Sequence, residues 1–156
     1  MKTVEEKREM NTTWATRRAF FDKINAEFRF DLDVCALPET TKCVRYFTPD
    51  DDGLSKEWTG TVWMNPPYGC ENLEKWLRKA MDSASRGATV VALVPTRTNP
   101  PWWHRYVLRA HEIRYVVKKL SFDGPKDGVP FTGHALVVFR PGELPWRGPK
   151  SSSWYQ

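Results

Sequence analysis

Long apolar runs are missing from this chain of 156 residues, so no segment has the make-up of a membrane-spanning helix. The start, Met1-Lys2-Thr3-Val4-Glu5-Glu6-Lys7-Arg8, is charged where a secretory leader would be apolar, and a soluble, cytoplasmic protein is expected. Cysteine is scarce. Cys35, Cys43 and Cys70 are odd in number and lack Cys-x-x-Cys spacing, which argues against a disulfide framework and against a thiolate zinc site. His104, His111 and His134 add no metal signal, and no metal is expected. The length suits one domain with a real core and leaves no room for a second.

Charge is present but unevenly placed. Residues 1–60 hold 10 Lys/Arg against 12 Asp/Glu, whereas residues 61–156 hold 14 against 7, giving −2 for the first part and +7 for the second. A polyanionic partner is the natural inference for the basic part, with salt-sensitive affinity to match.

The basic part opens on the apolar run Thr61-Val62-Trp63-Met64, which ends at Asn65-Pro66-Pro67-Tyr68-Gly69. Two prolines in succession lack two backbone donors and fix two φ angles, so a strand must stop there and leave the sheet as a rigid, extended turn. Asn65 Oδ1 and the Pro66 carbonyl can then offer two acceptors to one amino group. Tyr68 brings an aromatic face on which a planar heterocycle can stack.

Residues 1–13 carry no apolar period and read as a flexible lead, and from Pro141 the Pro, Gly and Ser content predicts a flexible tail over 141–156. Between them, Thr16 is a fair N-cap for a helix whose Phe20, Phe21, Ile24 and Phe28 form a core face. Residues 30–36 alternate as a strand, and residues 43–47 read as a second short one. Past the proline loop, Leu73, Trp76, Leu77, Ala80, Met81 and Ala84 repeat at helical spacing until Gly87. Residues 88–94 are almost uniformly apolar, the mark of a central strand covered on both faces, and Pro95 ends them. A short helix after Pro100 or Pro101 is followed by strand candidates at 113–122 and 135–139, expected to pair antiparallel at one edge. Strands alternating with helices predict an α/β sandwich on a mostly parallel sheet, with ligands at the carboxyl ends of the strands. Asp33, the run Asp50-Asp51-Asp52, Asn65 to Tyr68 and Pro95 fall at such ends. Asp33 stands out, since a carboxylate in an otherwise apolar strand needs a reason to be there.

The strand-end Asn-Pro-Pro-Tyr resembles the catalytic loop of amino-methyltransferases that use S-adenosylmethionine, which act on adenine, cytosine or a protein glutamine. A longer set of residues is more specific: Trp14-Ala15-Thr16, Phe20-Phe21, Asn25-Ala26-Glu27-Phe28, Leu32-Asp33-Val34-Cys35-Ala36, Asp52-Gly53-Leu54, Trp58, Asn65 to Gly69, Trp76, Lys79, Leu93-Val94-Pro95 and Arg97-Thr98. In this order they look like the phage-type DNA adenine methyltransferases, the Dam-like family of phages and prophages, over roughly residues 14–140. The resemblance implies a Rossmann-like methyltransferase sandwich carrying an antiparallel edge strand. It implies S-adenosylmethionine as cofactor, with contacts from Trp14, Thr16, Asp33, Cys35, Ala36, Asp52 and Asn65. Asn65, Pro66, Pro67 and Tyr68 would form the catalytic loop, and Tyr68, Arg97 and Phe131 would meet the target base or its strand. A monomer acting on duplex DNA is expected. Two departures stand out: no Gly-x-Gly follows the first strand, and Arg17 stands where the family commonly has proline. The other readings are a methyltransferase acting on a protein glutamine or another amino group, and a non-catalytic nucleic-acid-binding module built on the eight tryptophans and the basic part.

Overall fold

The computed structural model describes residues 15–123, 132–142 and 148–155. The expected lead at 1–13 lies outside them. In chain order the elements are β1 (Ala15–Thr16), α1 (Arg18–Phe28), β2 (Leu32–Asp33), β3 (Arg45–Tyr46), β4 (Thr61–Met64), α2 (Cys70–Ser85), β5 (Thr89–Pro95), α3 (Pro101–Arg105), β6 (Glu112–Val117), β7 (Phe122–Asp123), β8 (His134–Phe139) and β9 (Lys150–Tyr155).

Seven strands form one mixed sheet in the order β3-β2-β4-β5-β8-β6-β9, and β1 pairs antiparallel with β7 in a separate ribbon. β3, β2, β4 and β5 run parallel to one another, and β8 is antiparallel to both β5 and β6. The sheet is therefore mostly parallel, as expected, and the last two predicted strands do pair antiparallel. They sit one place in from the edge, because β9 adds to β6 in parallel.

The alternation along the strands sorts the core into two layers. Val90, Ala92 and Val94 of β5, Val62 and Met64 of β4, and Ala135, Val137 and Phe139 of β8 face α2, meeting Leu73, Leu77, Ala80 and Ala84. Val91, Leu93, Trp63, Leu136 and Val138 point the other way, toward Phe20, Phe21 and Ile24 of α1. Burying an apolar side chain of this size contributes about 1.5–3 kcal/mol, so a sheet apolar on both faces holds a helix against each. Gly87, at φ 110, turns the chain out of α2 into β5, a conformation that costs a side-chain-bearing residue more.

Four expectations need correction. The strand expected at 113–122 divides into Glu112–Val117 in the main sheet and Phe122–Asp123 in the ribbon, the chain turning at Lys118 with φ 67. Thr16 does not cap α1: the N-cap is Arg17, without a side-chain hydrogen bond, because residues 15 and 16 are held extended by β7. The strands expected at 30–36 and 43–47 shrink to Leu32–Asp33 and Arg45–Tyr46, the flanking residues turning over the end of the sheet. The tail expected to be flexible contains β9, whose register runs from Lys150 opposite Glu112 to Tyr155 opposite Val117. Its serines signalled disorder by composition, but the ladder bonds are made by the backbone, and the Trp154 ring anchors it edge-on to Phe20 at 5.2 Å.

Arg17 has φ −62, the value a proline ring would impose, so the departure at this position leaves the backbone path intact. Its guanidinium pairs with Asp123 at 3.4 Å, which ties α1 to the end of the ribbon.

Candidate functional site

From β2 the chain steps outward to β3, then crosses back past β2 to β4 and β5. The order of the strands reverses between β2 and β4, and in sheets of this kind the crevice for a ligand opens there, at the carboxyl ends. A cavity of about 350 Å³ occupies this place. It is walled by the turn after β2 (Asp33 to Leu37), the loop after β3 (Phe47 to Pro49, Asp52 and Gly53), the loop after β4 (Asn65 and Pro67) and the ribbon (Ala15, Thr16 and Asp123).

Asp33 is 3 % exposed, and both of its oxygens accept backbone hydrogen bonds, from Cys35 N at 3.3 Å and Lys42 N at 3.0 Å. The carboxylate thereby folds the 34–42 segment around the cavity. Burial raises its pKa, while the Lys42 and Cys35 amides pull it down. A cationic group brought into the cavity would draw it further down. Burial pushes the Cys35 thiol well up, so it stays protonated at neutral pH and serves as wall.

The three aspartates after Pro49 divide by geometry. Asp51 Oδ2 accepts from Thr48 N and Thr48 Oγ1, each at 2.8 Å, closing a capping box on the turn at Pro49–Asp51. Asp50 does not line the cavity. Asp52 does, from a left-handed conformation at φ 50 that ends the same turn. Gly53 follows with its backbone against the cavity: a Cβ there would stand 2.8 Å from the Val34 carbonyl and 3.2 Å from the Trp76 ring. Trp58 donates from Nε1 to the Gly53 carbonyl at 2.8 Å and stacks on Trp76 at 5.8 Å, pinning this loop.

Asn65 follows β4, half-buried, and its Nδ2 donates to Thr16 Oγ1 at 3.1 Å. The threonine that fails to cap α1 thus holds the carboxamide of the proline loop. Tyr68 folds back over the same group. Its hydroxyl donates to Asn65 Oδ1 at 3.1 Å, with the Leu93 carbonyl 3.4 Å away. Burial pushes the phenol far up, so it remains a donor. Its ring lies 5.8 Å from that of His134, which is 1 % exposed at the start of β8.

Of the residues the sequence singled out, Thr16, Asp33, Cys35, Ala36, Asp52, Asn65 and Pro67 line one cavity. Pro66 and Tyr68 adjoin it in the same loop. Arg97 is exposed on the turn after β5, outside the cavity, with its backbone N bonded to the Pro95 carbonyl at 2.9 Å. Trp14 and Phe131 lie outside the described residues. Thr40, Lys42 and Asp123 also line the cavity and were missed, each brought in by a loop or by the ribbon with no local sequence signal. Among the described residues no group of His, Cys, Asp and Glu could hold a metal ion.

The donor set fits S-adenosylmethionine. Carboxylates at Asp33, Asp52 and Asp123 suit an ammonium and ribose hydroxyls, Phe47 and Trp76 offer apolar and aromatic wall, and Gly53 leaves room for close approach.

Fold and site together define an α/β protein with a ligand crevice at the switch point of its sheet and a strand-end carboxamide at the crevice mouth. Residues 2–143 match the family model described as DNA N-6-adenine-methyltransferase (Dam), and the chain belongs to that family. It is 33 % identical over 147 residues to the DNA N-6-adenine-methyltransferase of Haemophilus phage HP1, covering 89 % of this chain and 84 % of that protein. It is 24 % identical over 133 residues to the protein of the same name from Escherichia phage T1, covering 83 % of this chain and 54 % of the relative.

Proposed function

We infer that this protein transfers a methyl group from S-adenosylmethionine to the exocyclic amino group of adenine in DNA, on a Rossmann-like methyltransferase sandwich. Family membership favours adenine in DNA over a protein glutamine and over a non-catalytic binding module. The observation that carries the reading is the Asn65 carboxamide, held by Thr16 at the cavity mouth with a donor already on its Oδ1.

An adenine amino nitrogen is a poor nucleophile because its lone pair is delocalised into the ring. Asn65 Oδ1 and the Pro66 carbonyl, accepting its two hydrogens, favour a tetrahedral nitrogen whose lone pair is released for attack. Two prolines keep that pair of acceptors from moving apart. The bound cofactor would supply an electrophilic methyl on a sulfonium and keep the C–S electron pair as a neutral thioether, while the amino group sheds one of the two hydrogens accepted by Asn65 and Pro66 to solvent. Asp33, Cys35, Ala36, Asp52 and Thr16 would hold the cofactor. The base must leave the duplex before it can reach the loop, and Tyr68 then gives it a face to stack on. Arg97, exposed on the turn after β5, meets the strand's phosphates. Duplex DNA is the partner, the cytoplasm of a bacterial host the setting, and a monomer suffices. Among the described residues no helix is long and apolar enough to cross a membrane.

Incubation with labelled cofactor and mixed-sequence duplex DNA, followed by nucleoside analysis, is expected to yield label in N6-methyladenine. Label in cytosine or only in protein refutes the reading. Asn65→Ala is expected to slow transfer by about 10² to 10³ with fold and most DNA affinity retained. An unchanged rate excludes the mechanism.

A further inference from the structure

His134 sits opposite Pro95 where β8 meets the carboxyl end of β5. It is 1 % exposed, and neither ring nitrogen has a hydrogen-bond partner among the described residues. An imidazole always carries at least one N–H, and in the neutral form it also carries one lone pair. Leaving both buried and unpaired forfeits their hydration with nothing in exchange, a cost that a phenylalanine of similar shape would avoid. A residue kept at such a cost has a use in another state of the protein.

Two rings cover it: Phe122 at 5.1 Å and Tyr68 at 5.8 Å. Tyr68 also places its hydroxyl on Asn65 Oδ1. One tyrosine side chain therefore spans from the acceptor meant for an amino group to the histidine ring. An adenine brought to Asn65 in its place carries its amino group at one end and ring nitrogens two and three bonds along its edge. A base that takes the place of Tyr68 at Asn65 also strips the tyrosine wall from His134.

We propose that His134 is a base-binding residue: once Tyr68 leaves Asn65, a His134 ring nitrogen hydrogen-bonds a ring nitrogen of the target adenine. The proposal rests on the reading of Asn65 and Tyr68 given above. Adenine N1 and N7 flank its amino group and are both acceptors, and a neutral imidazole offers one donor. Burial keeps the ring neutral, holding its pKa down at about 4. The histidine thus fixes the base's edge while Asn65 and Pro66 hold the reacting nitrogen.

The test is single-turnover transfer from labelled cofactor to mixed-sequence duplexes carrying adenine, 7-deazaadenine or 1-deazaadenine, using wild type, His134→Phe and His134→Gln. His134→Phe is expected to methylate adenine about two- to tenfold more slowly, the worth of one neutral hydrogen bond. Wild type is expected to lose the same factor on one deaza analogue, and the Phe variant to lose nothing more on it. His134→Gln, which keeps a donor, is expected to recover part of the rate on adenine. Thermal melting of the Phe variant at or above wild type establishes that it folds. A His134→Phe rate equal to wild type on adenine overturns the proposal. So does a deficit that persists undiminished on both analogues, the pattern of a packing defect. A wild type that labels no adenine refutes the activity itself, whereas a wild type that labels adenine beside an indifferent Phe variant refutes only the part assigned to His134.

Discussion

Replacing Tyr68 by phenylalanine and by alanine separates two things that one side chain does. The hydroxyl donates to Asn65 Oδ1 over 3.1 Å, so the acceptor that an incoming amino group needs is already taken. A neutral hydrogen bond of this kind has a net worth of about 0.5–1.5 kcal/mol. Tyr68→Phe releases that hold, and at about 1.4 kcal/mol per decade the duplex concentration for half-maximal transfer is expected to fall about two- to tenfold. The saturated rate is expected to stay near wild type, because the ring and both acceptors remain. Tyr68→Ala removes the ring as well. Stacking of a base on an aromatic side chain is worth about 1–3 kcal/mol, so half-saturation is expected to lie about five- to 150-fold above that of the Phe variant. The assay is single-turnover transfer of labelled methyl across a range of duplex concentrations, at fixed and saturating cofactor. A Phe variant as impaired as the Ala variant refutes the reasoning, since the hydroxyl would then be needed for chemistry. A Phe variant with unchanged half-saturation would mean that the Tyr68–Asn65 bond is no obstacle to the base.

Three further perturbations address the rest of the molecule. Arg97 makes no ion pair among the described residues, so Arg97→Ala is expected to lower the slope of log affinity against log salt by about 0.9, read from DNA titrations at several salt concentrations; an unchanged slope removes it from the DNA path. Gly53→Ala places a methyl 2.8 Å from the Val34 carbonyl, and calorimetry is expected to show cofactor binding weakened about tenfold or more with DNA binding retained; full affinity would refute the close approach assigned to Gly53. Burial lowers the His134 pKa from 6.5 to about 4, so as pH falls the unfolded chain takes up the proton first. The stability tied to His134 is present in full above pH 6.5 and is lost on the way down to about pH 4, amounting to roughly 3 kcal/mol. Denaturant melts across that window are expected to show an acid loss that His134→Phe removes, and equal losses in the two proteins would refute it.

What the sequence made legible follows one physical rule: features set by residues close together along the chain were readable. The strand break at Asn65-Pro66-Pro67 is local chemistry, and so are the double-faced apolar run of β5 and the helical spacing in α2. The order of strands that opens the crevice between β2 and β4 was not readable, because it is set by pairings such as Leu32 with Arg45 and with Val62, far apart along the chain. Thr16 could not be read correctly, because its partner Asn65 lies 49 residues away and β1 holds it through β7. Asp33 was noticed as an anomaly, yet its bond to Lys42, nine residues on, was not visible. Tyr68 was read as a stacking face, whereas in this state its hydroxyl is spent on Asn65. His134 carried no local signal at all, since its burial depends on rings supplied by β7 and by the loop after β4.

The last strand has a consequence for handling the protein. Without β9, the row of backbone groups along Glu112–Val117 would face solvent beside Tyr115, which is already 39 % exposed. Such an edge is a template for pairing with a second chain. β9 replaces it with a border of exposed serines at Ser151, Ser152 and Ser153, which offers a neighbouring molecule little to pack against. A chain shortened to residue 142 would keep its crevice and proline loop and still tend to precipitate at high concentration. An affinity tag fused directly after β9 would disturb this selvedge.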